Sequence, residues 1–153
     1  MTTDQVAAAL IAWVDATLPA VAGFYAYPPA AKTQPLPDVS ADIEEFEIVD
    51  SGDAQAMFPL VGGLQQVAVV RVWRASLMFM VAADPPDAAT ATLRGFADGL
   101  AASALADLTL GGRVPSVNHR LRFDFVPAFL EFDDGTQGRA MTANVAVAEP
   151  RNE

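Results

Sequence analysis

The sequence predicts an α+β fold: a mainly antiparallel, twisted sheet with two helices packed on one face and a long projecting strand or hairpin. Three observations predict it. Two segments place apolar residues at helical spacing, Val6, Leu10, Trp13, Val14 and Thr17 in the first and Leu93, Phe96, Leu100 and Ala104 in the second. Strand-like alternation fills the segments between and after them, most clearly in "QQVAVVRVWRASLMFMVA" from Gln65 to Ala82. The order is helix, strand, strand, long strand, helix, strand pair and final strand, which suits antiparallel hairpins joined by two helices. A chain of 153 residues that is 52% hydrophobic is long enough for one domain with a real core, spanning 1–153 with 148–153 as a flexible tail.

Thr2 followed by Gln5 forms a capping-box pattern that starts the first helix, and Pro19 closes it. Val21 to Tyr27 reads as a short strand. The stiff loop "FYAYPPAAKTQPLPDV" overlaps it and carries Pro28, Pro29, Pro35 and Pro37. An acidic strand, "DIEEFEIV", covers Asp42 to Val49, and "DSGDAQAMFPLVGGL" is a long connection.

In the long strand the odd positions Val67, Val69, Arg71, Trp73, Ala75, Leu77, Phe79 and Val81 make one nearly apolar face. Val70, Val72, Met78 and Met80 half-cover the other. Unbroken, this strand would run roughly 60 Å at about 3.3 Å per residue. A globule of this size is roughly 40 Å wide. The strand is therefore expected to bulge, to bend near "WRAS", or to project and be covered by another chain.

The second helix is marked by Asp84 as N-cap, Pro85 at the first helical position and Asp87 near the positive end of its dipole. Beside its apolar stripe runs a row of small residues, Ala88, Ala91, Gly95, Gly99, Ala102 and Ala106. That row suits close packing on the sheet or on a neighbouring subunit. Gly111 and Gly112 end the passage. "RLRFDF" sets Leu121, Phe123 and Phe125 on one face and Arg120, Arg122 and Asp124 on the other. "AFLEF", the turn "DDGT" with Asp133 and Asp134, and the strand Arg139 to Ala148 complete the chain.

The net charge of −10, with nine scattered basic residues, argues against sequence-specific nucleic-acid binding, which needs clustered Lys and Arg. The chain has no cysteine, which excludes thiolate metal sites and cysteine nucleophiles and agrees with a reducing, intracellular setting. Residues Met1 to Gln5 carry no basic residue, unlike the start of a secretory signal, and Arg71 and Arg74 interrupt the richest apolar run, so no membrane span is expected.

His119 is the single histidine, too few for a histidine zinc site. Ser51, Ser76, Ser103 and Ser116 lack a nucleophile elbow. Glu44, Glu45 and Glu47 read as a solvated strand edge that discourages unwanted pairing rather than as a general acid and base. Asp133 and Asp134 read as turn chemistry, because the spaced-oxygen calcium pattern is not met. Neither paired-glycine site, Gly62-Gly63 or Gly111-Gly112, belongs to a phosphate-binding motif. No enzyme, cofactor or metal site emerges. The proline loop is left with two readings, a pre-stiffened contact for a partner or the rim of a ligand site.

One family shares this order and texture. The run from "FYAYPPAAKTQPLPDV" through "VRVWRASLMFMV", the Asp-Pro-led helix, "LADLTLGGRV" and "EFDDGTQGRAMTANVAVAE" resembles the tail terminator (tail completion) proteins of long-tailed bacteriophages, particularly those of actinobacterial hosts. The likeness spans nearly the whole chain. It implies a non-enzymatic virion protein: a homo-oligomeric ring, expected to be a hexamer, at the head-proximal end of the tail. Such a ring stops tube polymerisation and docks the head-side neck. The implied partners are sister copies, the major tail tube protein and a head-side connector, with assembly in the host cytoplasm and DNA passing through the ring without specific binding.

No catalytic residue is carried over from the family. Tyr27, Pro28, Pro29, Pro35, Pro37, Arg71, Arg74, Asp133 and Asp134 are the candidate interface residues. A head-side connector or stopper, and a small-molecule-binding α+β domain with its pocket under the proline loop, are the alternative readings.

Overall fold

The computed structural model describes residues 1–26, 35–50, 67–117, 121–127, 130–131 and 137–152. Helix α1 spans Thr3–Thr17, followed by β1 (Gly23–Tyr25), β2 (Asp38–Asp50) and β3 (Val67–Ala82). Helix α2 spans Pro86–Ala106, and β4 (Arg122–Phe125), β5 (Leu130–Glu131) and β6 (Gln137–Asn152) complete the chain. The sheet has six strands in the order β1-β2-β3-β6-β4, with β5 also paired to β6. Together with the two helices this is an α+β fold. The sheet is mixed rather than wholly antiparallel, because β1 runs parallel to β2 over Gly23–Tyr25.

The capping box at α1 forms as the sequence dictates. Gln5 N–H donates to Thr2 Oγ1 at 3.2 Å, and Thr2 N–H donates to Gln5 Oε1 at 2.7 Å. At α2 the start differs from expectation by one residue: Pro85 is the N-cap, Pro86 opens the helix, and no side chain caps it. The residue before a proline is barred from the helical region, so Pro86 holds Pro85 extended and moves the start along.

Both helices cover one face of the sheet. Val6, Leu10, Trp13 and Val14 of α1 and Leu93, Phe96 and Leu100 of α2 form one core with Trp73, Ala75, Leu77, Phe79 and Val81 of β3. Met141, Ala143, Val145 and Val147 of β6 close it. The tryptophan N–H groups are satisfied inside this layer, Trp13 by Ser103 Oγ at 2.9 Å and Trp73 by Thr3 Oγ1 at 3.2 Å.

The long strand is covered by its own chain. β6 pairs with β3 from Val67↔Asn152 to Ala82↔Gly138, and β2 flanks its other side. β3 thus has both edges paired within its own chain, so of the outcomes expected for it, coverage by another chain is not needed. Residues from Ala148 to Asn152, expected as a tail, are part of β6. A bulge does fall at "WRAS", but in the neighbour: the register of β2 shifts between Ile43 and Glu45, opposite Ala75 and Arg74.

That bulge explains the sequence of β2. Val39, Ala41 and Ile43 face the helices from odd positions, whereas Phe46 and Ile48, paired with Trp73 and Arg71, do so from even ones. One extra residue reverses the alternation, because side chains change face at every residue.

The helix-covered core ends at an ionic rung. The Met1 ammonium pairs with Glu149 Oε2 at 2.7 Å, and Arg71 Nη1 lies 3.8 Å from Glu149 Oε1 and donates to the Met1 carbonyl at 3.5 Å. Beyond it β2 continues to Asp50, β3 begins at Val67 and β6 reaches Asn152, so a three-stranded extension runs past the start of α1.

After α2 the chain turns on Asp107. Its Oδ1 accepts from Thr109 Oγ1 at 2.7 Å and Thr109 N–H at 2.9 Å, and its Oδ2 accepts from Gly111 N–H at 3.0 Å. These donors, the Thr109 hydroxyl foremost, hold the carboxyl below the ordinary carboxylate range. Leu110, Gly111 and Gly112 all have positive φ, and burial of the Leu110 side chain holds it there.

Candidate assembly surface

Among the described residues, β1 covers only the first three positions of β2, so the edge of β2 from Ala41 to Asp50 pairs with no described strand. An unpaired edge presents backbone N–H and C=O groups to solvent. Phe46 is 47% exposed and Ile48 61% exposed, an unusual load of apolar surface for such an edge. The Phe46 ring stacks on Trp73 with centroids 5.1 Å apart, which fixes its orientation.

On the opposite face of the same strand, Arg74 sits between two carboxylates, 3.5 Å from Glu45 Oε2 and 3.4 Å from Glu47 Oε1. One guanidinium between two glutamates leaves that face of β2 acidic, with Glu44 exposed at the bulge beside it. Acidic side chains of this kind restrain indiscriminate pairing while leaving room for a partner of suitable charge.

The other margin of the sheet is β4. Phe123 and Phe125 pair with Ala143 and Met141 and so lie on the helix-covered face, with Phe125 47% exposed. Arg122 and Asp124 lie on the other face. Asp124 Oδ2 accepts from Arg122 Nε at 3.1 Å and from Asn144 Nδ2 at 2.8 Å.

The expected interface residues are distributed unevenly. Tyr27, Pro28, Pro29, Asp133 and Asp134 lie outside the described residues, as does His119. Pro35 is exposed, and Pro37 is half-buried where its carbonyl accepts from Ala22 N–H at 2.7 Å and Gly23 N–H at 3.2 Å. A Cβ on Gly23 would come within 3.0 Å of the Pro35 carbonyl oxygen, so glycine permits this close approach. The downstream end of the proline loop is thus tied to β1 of its own chain.

Arg71 and Arg74 are both engaged within the molecule, the first at the terminal ionic rung and the second between Glu45 and Glu47. Phe46, Ile48 and Phe125 were not among the expected residues. The signal for the first two was the switch from odd to even apolar positions across Glu44, which announces a bulge.

The small-residue row of α2 faces away from the sheet. Ala88, Ala91, Gly95, Ala102 and Ala106 are exposed, and only Gly99 is closely approached, by Leu18. Of the serines considered, Ser103 holds Trp13, while Ser76 and Ser116 are buried. Among the described residues no three His, Asp or Glu side chains are grouped to hold a metal ion, and no helix is long and apolar enough to cross a membrane.

A comparison with models of known protein families finds no match, and none of the curated proteins matches the chain significantly.

Proposed function

We propose that this protein is a structural assembly subunit, a tail-terminator-like component that closes into a ring at the head-proximal end of a phage tail tube. The observation that carries the proposal is the β2 edge, which beyond Ser40 pairs with no strand among the described residues and has Phe46 and Ile48 exposed on it. A solitary molecule gains nothing from an apolar edge strand, and a subunit that must meet a neighbour does. The order and texture of the sequence supply the family, and the family supplies the address.

In this reading the ring has six copies, its partners are the tail tube protein and a head-side neck protein, and it performs no catalysis. Each copy brings a net charge of −10, so a lumen lined with carboxylates repels passing DNA and prevents it from adhering. The ring resides in the virion after assembly in the host cytoplasm.

The test is to disrupt the gene in a phage that encodes it and to measure tails by electron microscopy. Tails of uncontrolled length, unattached to heads, are expected. Unattached tails of normal length point to the connector reading instead, and normal virions overturn both.

A further inference from the structure

We propose that Met78 is an oxidation site, where a peroxide converts the thioether to the sulfoxide and the folded protein accommodates the product. The site is independent of the ring proposed above. It belongs to the face of the sheet that the two helices do not cover.

Among the described residues three methionines lie in the sheet, and strand alternation sorts them. Leu77 and Phe79 belong to the helix-covered core, so Met78 and Met80 point to the reverse face. Met80 is closed in there by Ala140, Leu36 and Val126 and is 9% exposed. Met141 lies in the helix-covered core at 0%. Met78 is 42% exposed, although β2 and β6 flank its strand on both sides. A peroxide must reach the sulfur, so of these three thioethers the fold offers one.

The step is a two-electron transfer. A lone pair of Met78 Sδ attacks one oxygen of hydrogen peroxide. The S–O bond forms as the O–O bond breaks, and the second oxygen leaves with both hydrogens as water. The sulfur is oxidised and the peroxide is reduced. No thiol of the chain competes for the oxidant, because the sequence has no cysteine.

The surroundings decide whether the product can stay. A sulfoxide is polar, and burying it without a hydrogen-bond donor would be costly. Met78 pairs directly with Ser40 of β2 and with Thr142 of β6, so the three side chains form one row on the reverse face. Side chains directly opposite in a sheet have Cβ atoms about 4.5–5.5 Å apart, within reach of a flexible methionine. Neither the Ser40 nor the Thr142 hydroxyl bonds to another described residue. Each therefore has a proton to donate to the new oxygen, from opposite sides.

The test treats the folded full-length protein with dilute hydrogen peroxide and assigns the added oxygen residue by residue, by digestion and fragment-ion mass spectrometry. Met78 should be oxidised at least about tenfold faster than Met80 and Met141, and the three rates should converge in urea. Met78→Leu should remove the fast uptake and leave the slow sites unchanged. Oxidation at Met78 should lower Tm by about 2 °C or less, as an exposed substitution does.

In the double variant Ser40→Ala with Thr142→Val the rate at Met78 should hold. The fall in Tm on oxidation should grow there by about 2–4 °C, because a hydrogen bond to the product is lost. Equal rates at the three methionines of the folded protein overturn the site. An equal fall in Tm with and without the two hydroxyls overturns their part in holding the sulfoxide.

Discussion

Replacing Trp73 by alanine tests whether the central strand is anchored as described. The side chain is 1% exposed, its N–H donates to Thr3 Oγ1, and its ring stacks on Phe46. Truncating a buried aromatic of this size costs about 3–5 kcal/mol in lost transfer energy and cavity. Thr3 is exposed, so its freed hydroxyl is rehydrated and adds little. The stacked pair adds about 0.5–1.5 kcal/mol, at the low end because Phe46 is half in water.

A loss of about 4 kcal/mol is therefore expected, or about 8–16 °C in Tm for a chain of this length. Trp73→Phe keeps most of the ring volume and should lose about half as much or less. Urea unfolding followed by far-UV circular dichroism measures both, with a constant m-value showing that stability alone has changed. A loss below about 1.5 kcal/mol for Trp73→Ala would refute the placement of this side chain at the centre of the core.

Two further perturbations address the ends of the core. Glu149→Ala removes the partner of the Met1 ammonium and of Arg71. Because Glu149 is 18% exposed, the expected cost of about 1–2 kcal/mol lies between those of surface and buried ion pairs, readable as a Tm shift. The Asp107 turn should weaken in acid. Its carboxyl is lowered, so its contribution is present above the unfolded-chain value near pH 4 and is lost as pH falls through the lower folded value. Asp107→Asn should reduce Tm at neutral pH, and the gap from the native protein should close in acid. A gap that is constant with pH would contradict the ionised turn.

What could be read from the sequence was local. The Thr2–Gln5 capping box and the two helical stripes depend on residues a few positions apart, and β3 announces itself by its own alternation. What could not be read was distant in sequence. The covering of β3 by β6 pairs residues about 70 positions apart at Arg74 and Ala146, and nothing near "VRVWRASL" encodes that partner.

The candidate surface was obscured for the same reason. Arg71 was expected at an interface because Glu149 and Met1, far from it in sequence, meet it only after folding. Pro35 and Pro37 read as parts of a stiff loop offered to a partner or a ligand, yet Gly23 draws them against β1. The parity switch at Glu44 was visible in the letters, but its meaning needs the register opposite Trp73 to fix which side of the bulge faces the core.

The most direct measurement is the mass of the native particle. Native mass spectrometry of the purified full-length protein, across a range of concentrations, should find a closed species of six copies with no continuous series of larger ones. Chains that remain single at every concentration, or polymers that grow without limit, would contradict a subunit built to close on its sisters.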